Sequence, residues 1–334
     1  MATVVSMLSP KQFFSSRPVI PDGLKVVFLE HFSDEEIIKA CEGAEGVLTV
    51  GSAALISSFI IERIPTIKII QSIGAGFDRV DIPASIRAGI PVANMPGANS
   101  TSVAEYVIGS LIALQRRMPE SDEEIKAGNY LAFRNRILGE GLGEVRGSRL
   151  GLVGFGNIAK QVAVIASLLG ASVSYYSSRQ QSPIVEKQYS AVYKPLDELL
   201  ATSDAVSLHV PLNDQTRNLI GAREFSLMPR GSILINSARG EVLDQMALAA
   251  ALEQGHLSGA ALDTFSPEPP GPDHPLLNLS PRAAKFLLLS PHTSGVTLGA
   301  FKRMIEGALE NIARVARSEE PQNIVNGIVT RVKT

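Results

Sequence analysis

The chain has 334 residues, too long for one ordinary hydrophobic core and short for three, so two domains are expected. An apolar fraction of 45% supports sizeable cores, while a formal net charge of -2 with interspersed signs gives no electrostatic footprint for nucleic acid or an anionic membrane surface. The single cysteine, Cys41, excludes an internal disulfide or a thiolate metal cluster within one chain and fits a reducing compartment. No apolar run reaches the roughly 18 to 20 residues that span a bilayer, so the expectation is a cytoplasmic protein that acts on small molecules, with no membrane or nucleic-acid partner.

From Lys25 the chain alternates short apolar strands with amphipathic helices: Lys25 to Leu29, a helix from Asp34 to Cys41, then strands at Gly46 to Val50, Ile67 to Ile70 and Pro91 to Asn94. That alternation implies a parallel sheet, and hence a small α/β domain. An almost uninterrupted helical pattern between Thr101 and Met118 is a candidate bridge between two domains. The polar segment Pro119 to Arg146 then leads into a compact apolar strand, Ser148 to Gly154, which opens a second α/β run reaching to about residue 296. The final segment spaces Leu298, Phe301, Met304, Ile305, Leu309, Ile312 and Val315 at helical intervals, one stripe of a packing helix.

After the strand ending at Val153 comes Gly154-Phe155-Gly156-Asn157-Ile158-Ala159, which fits G-x-G-x-x-[GA]. The first glycine permits a tight turn, the second lets the backbone approach a pyrophosphate, and Ala159 lets the helix pack close to the strand. A lone match is weak, because glycines also serve ordinary turns. Here a strand precedes, a helix follows, and a second strand at Ala171 to Tyr176 completes the βαβ unit that dinucleotide binding requires. That second strand ends in Ser177-Ser178-Arg179-Gln180, where an NAD enzyme carries an acid for the ribose hydroxyls. Two hydroxyls and a guanidinium suit a 2′-phosphate instead, so NADP is favoured. The alternative is a solvated turn in an enzyme that takes either cofactor, with NAD possible.

Several later segments are more specific: His209-Val-Pro-Leu212 with Thr216, Met228-Pro-Arg-Gly-Ser-Ile-Leu-Ile-Asn-Ser-Ala-Arg-Gly240, Gly259-Ala-Ala-Leu-Asp263, Glu268-Pro269 and Pro291-His292. Together, in this order, they resemble the D-2-hydroxyacid dehydrogenase family, and the pattern is nearest to NADP-preferring glyoxylate/hydroxypyruvate reductases. The resemblance runs from about residue 45 to 325; the first forty residues match only in pattern. It implies an α/β fold of two Rossmann-like domains with parallel sheets flanked by helices. The cofactor domain, 103–296, is inserted into a substrate domain formed by 1–102 and 297–334, with the active site in the cleft. Dimers formed by the cofactor domains are usual in the family, so a homodimer is expected, with the apolar helix near Val103 to Leu114 a contributor.

Carried residue by residue, the resemblance implies a catalytic group of Arg239, Glu268 and His292. Hydride addition to a keto carbon builds negative charge on its oxygen, and a histidine can supply a proton there. A nearby carboxylate fixes the ring and favours its charged form, a role for Glu268. The planar fork of Arg239 can hold both the carbonyl and a carboxylate oxygen of a 2-keto acid. The glycine-rich turn Ser72 to Asp78 resembles the loop that binds the substrate carboxylate, with Ala75 and Gly76 as backbone donors. Cofactor contacts implied in the same way are Val210, Pro211 and Thr216 around the adenosine, Ser237 and Ala238 near the nicotinamide ribose, Asp263 on the carboxamide, and Val103 and Gly295 as weaker candidates. His31, His209, His256 and His274 lack metal-ligand spacing and read as structural or surface residues, and no metal is expected.

Phosphoglycerate-type relatives place an arginine after the second strand, whereas Cys41 to Glu62 contain no Arg or Lys. Formate-specific relatives carry Gln where Glu268 stands. What remains is reduction of a small unphosphorylated 2-keto acid, with glyoxylate or hydroxypyruvate first. Pocket walls expected near Val50 to Ala53, Met95 and Leu131 to Phe133 are small or apolar, which keeps pyruvate and bulkier apolar or aromatic keto acids open. A dinucleotide-sensing corepressor is the rival from another class; such relatives usually carry long disordered tails and favour NAD.

Overall fold

A computed structural model describes residues 1–51 and 54–329. The chain divides into two compact units: Met1–Asn99 with Val296–Thr334, and Ser100–Gly295.

The first unit is built on five parallel strands, β1 (Ala2–Ser6), β2 (Leu24–Phe28), β3 (Gly46–Thr49), β4 (Ile69–Ser72) and β5 (Val92–Ala93), in the order β2-β1-β3-β4-β5. The first of these, Ala-Thr-Val-Val-Ser, is an unanticipated strand at the extreme N-terminus, and it lies in the interior of the sheet. Its alternation of buried residues is short, and only pairing to both β2 and β3 distinguishes it from an apolar terminus. The terminal helix, Leu298–Ala316, starts on a Thr297 cap and buries Phe301, Met304, Ile305, Leu309, Ile312 and Val315; Leu298 alone of the expected stripe stands in solvent. A Cβ on Gly46 would lie 2.8 Å from Ile312 Cγ2, so glycine there lets this helix sit down on β3.

The second unit holds seven parallel strands: β6 (Arg149–Val153), β7 (Ser172–Tyr176), β8 (Ala191–Tyr193), β9 (Ala205–Leu208), β10 (Ser232–Asn236), β11 (Leu257–Leu262) and β12 (Leu287–Leu289). Their order is β12-β11-β10-β9-β6-β7-β8. The chain builds outward from β6 through β7 to β8, returns to place β9 on the other side of β6, and continues to β12. This is the doubly wound dinucleotide-binding order with one strand added. Strands are buried on both faces, so they read as continuous apolar runs. The helix Ser100–Gln115 buries Val103, Ala104, Val107, Ile108, Leu111 and Leu114 within this unit and packs on the helix Asn157–Leu168.

The polar segment after it is not a loop. It forms two helices, Met118–Lys126 and Tyr130–Glu140, of which the second buries no residue. With no apolar stripe there is no periodic signal to read. Ion pairs Arg136–Glu120 and Lys285–Glu124, at 2.7 and 2.6 Å, tie the pair of helices down. Among the described residues, no helix is long and apolar enough to cross a membrane.

Candidate active site

In a parallel sheet all strands end on the same edge, so segments far apart in sequence converge there. In the second unit this edge collects Gly154 to Ile158 after β6, Ser177 to Arg179 after β7, His209 to Pro211 after β9, and Ser237 to Arg239 after β10. It also collects Asp263 to Glu268 after β11 and Ser290 to His292 after β12. The strand order reverses between β6 and β9, the point at which such sheets open a crevice for ligands.

The two glycines at this point have different reasons to be glycine. Gly154 has φ +99, and a Cβ there would lie 2.6 Å from the His209 carbonyl oxygen and 2.9 Å from the Val210 nitrogen, so the turn can pass the β9 loop only without a side chain. Gly156 has ordinary φ of -82, and nothing lies within 4 Å of a Cβ built on it. It caps the helix Asn157–Leu168 without any side-chain cap bond, leaving the first-turn N–H groups of Asn157, Ile158 and Ala159 outside the intrahelical ladder. Open space before uncapped N–H groups at a positive helix end fits a pyrophosphate. Phe155 is buried and stacks on Tyr175 with centroids 4.0 Å apart, so it offers only backbone to a ligand. Burial lifts the Tyr175 hydroxyl to about 12, and its bonds to Gln181 N–H and Glu186 close the turn after β7.

In that turn Ser177 Oγ donates to the Arg179 carbonyl at 2.6 Å, which fixes the backbone and leaves the Ser178 and Arg179 side chains exposed. Glu186, the nearby acid on the following helix, is engaged by Tyr175 and Gln180, and these bonds hold its carboxyl below the usual range.

His292 Nδ1 and Glu268 Oε1 are 2.7 Å apart, both partly exposed. The carboxylate can only accept, so Nδ1 carries the hydrogen and Nε2 is directed away from Glu268. The turn bearing His292 is held by Asp263, which is fully buried: its carbonyl accepts the His292 N–H at 2.8 Å, and its carboxylate accepts the Thr293 and Ser294 N–H groups at 2.8 and 2.9 Å. Three donors, counting Ser290 Oγ at 2.6 Å, already engage this carboxylate. The side chain expected on the carboxamide thus also holds the loop that carries His292.

Arg239 donates from Nη1 to the Ala238 carbonyl at 2.8 Å. Its place is set by two residues without an assigned part in the sequence reading. Asn236 Oδ1 accepts the Ala238 N–H and Nδ2 donates to the Arg239 carbonyl, at 3.0 and 2.9 Å, an asparagine turn at a strand end. Gly240 would carry its Cβ 2.1 Å from the Phe265 carbonyl, so its lack of one brings the Arg239 loop against the backbone that leads to Glu268. Asparagine before a turn and glycine after Arg239 were visible signals; only the packing says what they serve.

The remaining candidates divide. Val210 and Pro211 lie on the β9 loop, which Thr216 closes by donating to the Pro211 carbonyl at 2.6 Å. Ser237 Oγ is buried without a partner among the described residues, and Ala238, Val103 and Gly295 are buried. His209 pairs with Ser207, and burial pushes its pKa down to about 3, which keeps it neutral. Ala75 and Gly76 belong to the first unit, after β4. The carbonyls of Gly74, Ala75 and Gly76 are tied back by Met95 N–H, Asn94 Nδ2 and Ser72 Oγ, respectively, so both candidate N–H donors sit in a turn fixed from behind. Of the expected pocket walls, Met95 packs into the first unit's core beside Gly307, Leu131 is exposed, and Ser52 and Ala53 lie outside the described residues. Among the described residues, no three His, Cys, Asp or Glu side chains are grouped to hold a metal.

Residues 108–294 match the family described as D-isomer specific 2-hydroxyacid dehydrogenase, NAD binding domain. The chain belongs to this family. It is an NAD(P)-dependent D-2-hydroxyacid dehydrogenase or reductase, and its second unit is the nicotinamide-cofactor domain of that family. It is 36% identical over 279 residues to glyoxylate reductase of Aeropyrum pernix, covering 82% of this chain and 81% of that one. It is also 34% identical over 292 residues to D-3-phosphoglycerate dehydrogenase of Methanocaldococcus jannaschii, covering 87% of this chain and 53% of that one. The holo form of D-mandelate dehydrogenase from Rhodotorula graminis superposes with a TM-score of 0.85 at 26% identity, covering 98% of each chain. These relatives share a family and differ in substrate.

Proposed function

We propose that this enzyme reduces a small unphosphorylated 2-keto acid, glyoxylate or hydroxypyruvate first, to the D-2-hydroxy acid, with NADPH preferred over NADH. The observation that carries the reading is the 2.7 Å His292–Glu268 pair on the sheet edge that also bears the glycine loop. Glu268 fixes the His292 ring through Nδ1, and Nε2 delivers the proton to the substrate oxygen. Arg239 orients the acid and stabilises the charge developing on that oxygen, while Ala75 and Gly76 donate backbone N–H groups to the substrate carboxylate. Bound on the Gly154 to Ile158 loop, with Val210, Pro211, Thr216, Ser237 and Ala238 nearby, the nicotinamide would supply the hydride.

The NADPH preference rests on exposed Ser178 and Arg179 and on the absence of an acid between Ser177 and Gln181. A phosphorylated substrate is disfavoured because Cys41 to Glu62 carry no basic residue, although a phosphoglycerate dehydrogenase is among the relatives. The likeness to a D-mandelate dehydrogenase favours an aromatic 2-keto acid as the second reading. Turnover of glyoxylate, hydroxypyruvate, pyruvate and phenylpyruvate with NADPH and with NADH separates these readings. Oxidation of neither cofactor by any of the four acids refutes the proposed reaction.

A homodimer in the cytoplasm completes the proposal. On the helix Ser100–Gln115, Val103, Ala104, Val107, Ile108, Leu111 and Leu114 are already buried within one copy. The helix Tyr130–Glu140 exposes Tyr130, Leu131 and Leu138 instead, and it is the face we assign to the second copy. A light-scattering mass halved by Leu131→Glu with Leu138→Glu supports that assignment, and an unchanged mass removes it.

A further inference from the structure

The turn that presents His292 is exposed along Pro291, His292 and Thr293. His292 itself has φ +56, a conformation that persists in a residue with a side chain only where the surroundings over-determine it. Beside the Ser290 carbonyl, which also accepts the His292 N–H, the backbone of the turn is held by one residue, Asp263. Asp263 takes the Thr293 and Ser294 N–H groups on its side chain and the His292 N–H on its carbonyl. A buried carboxylate with rotational freedom would hold such a turn poorly, so whatever fixes its orientation also fixes the histidine.

Ser290 Oγ lies 2.6 Å from Asp263 Oδ1 and 2.8 Å from the Tyr106 hydroxyl. The carboxylate only accepts, so the single Ser290 hydrogen goes to Asp263, and the hydrogen of the second bond comes from Tyr106. Tyr106 stands on the helix Ser100–Gln115, whose neighbours in the sequence are packed in the core of the unit. Burial, the largest influence, and the Asp263 charge both hold the phenol in its protonated, donating form. Phenylalanine would pack in that place as well. A tyrosine gives the core helix a polar link, through one serine, to the buried carboxylate that holds the turn.

Resting on the reduction proposed above, we infer that Tyr106 and Ser290 are positioning residues for His292: a relay of two hydroxyls that orients the Asp263 carboxylate and thereby sets the turn that aims the imidazole. Both act through Asp263. Asp263 in this relay acts on the loop.

The test uses the full chain with NADPH and its best 2-keto acid, in Tyr106→Phe, Ser290→Ala and Ser290→Thr. Loss of either hydroxyl lowers kcat roughly 10- to 100-fold, as misplacement of an acid by about 1 Å does, with the KM for NADPH within about twofold. It raises the isotope effect from 4-deuterated NADPH, because the chemical step becomes slower. Ser290→Thr, which keeps the hydroxyl, recovers most of kcat. In Ser290→Ala the Thr293 and Ser294 amides exchange with solvent at least about tenfold faster. Unchanged kcat in Tyr106→Phe and Ser290→Ala overturns the inference, as does a loss of kcat that Ser290→Thr fails to recover. If the unaltered chain turns over no acid, the proposed reaction falls on that result, and the relay is judged by amide exchange alone. Unchanged protection in Ser290→Ala then refutes it.

Discussion

Replacing Gly156 by alanine is expected to spare the fold and weaken the cofactor, whereas the same change at Gly154 injures the fold first. At Gly156 the backbone is ordinary and nothing lies within 4 Å of the added Cβ, so only the N-cap preference is lost, about 1 kcal/mol. At Gly154 an alanine must hold φ +99, about 1–3 kcal/mol, and place its Cβ 2.6 Å from the His209 carbonyl, another 1–3 kcal/mol or so of forced displacement. For a unit of this size about 1 kcal/mol moves Tm by roughly 2–4 °C. Gly154→Ala should therefore lower Tm by roughly 5–20 °C and Gly156→Ala by only a few degrees. The methyl at Gly156 stands where a pyrophosphate would approach; one lost charge-assisted bond costs about 1.5–3 kcal/mol, or roughly 10- to 150-fold in Kd. Differential scanning fluorimetry and NADPH fluorescence titration read the two effects separately. An NADPH Kd within twofold of wild type in Gly156→Ala would refute the placement of the cofactor on this loop. Equal losses of Tm in the two variants would refute the assignment of their separate roles.

His292→Ala should lower turnover about 10²- to 10⁴-fold with little change in NADPH Kd; retained turnover removes it as the acid. Arg179→Ala should weaken NADPH roughly 10-fold or more through the lost charge-assisted contact, and NADH far less. Equal weakening of both cofactors rejects the 2′-phosphate site. His209 is neutral and partly buried, with its pKa lowered by burial from 6.5 to about 3, so the unfolded chain binds a proton that the folded chain refuses. Its stabilising contribution is whole above pH 6.5 and declines by at most about 1.4 kcal/mol per unit as pH falls from there toward 3. Urea unfolding of His209→Asn across pH 7 to 4.5 should show a flatter decline than wild type, and identical slopes count against the neutral ring.

Much of the fold was legible because parallel strands buried on both faces leave unbroken apolar runs, as in Gly46 to Leu48 and Leu150 to Val153. The glycine loop was legible because backbone conformation and close approach restrict residue choice locally. Two elements were not. The strand Ala2–Ser6 is five residues long and becomes recognisable only through partners on either side. The helix Tyr130–Glu140 buries nothing and so leaves no stripe.

At the candidate site the sequence named Arg239, Glu268 and His292 through the family resemblance, since their motifs occur in its order; each residue type alone would not have sufficed. It could not tell how Asp263 is used. A carboxylate at a strand end can serve a ligand or a loop, and only the Thr293, Ser294 and Ser290 donors show that it holds the loop. Nor could it single out Tyr106, 184 positions from the serine it touches. Local sequence determines backbone turns and chemical type; contacts between distant strands and helices exist only once the sheet has set its order. Tertiary structure therefore decided which side chains orient the others.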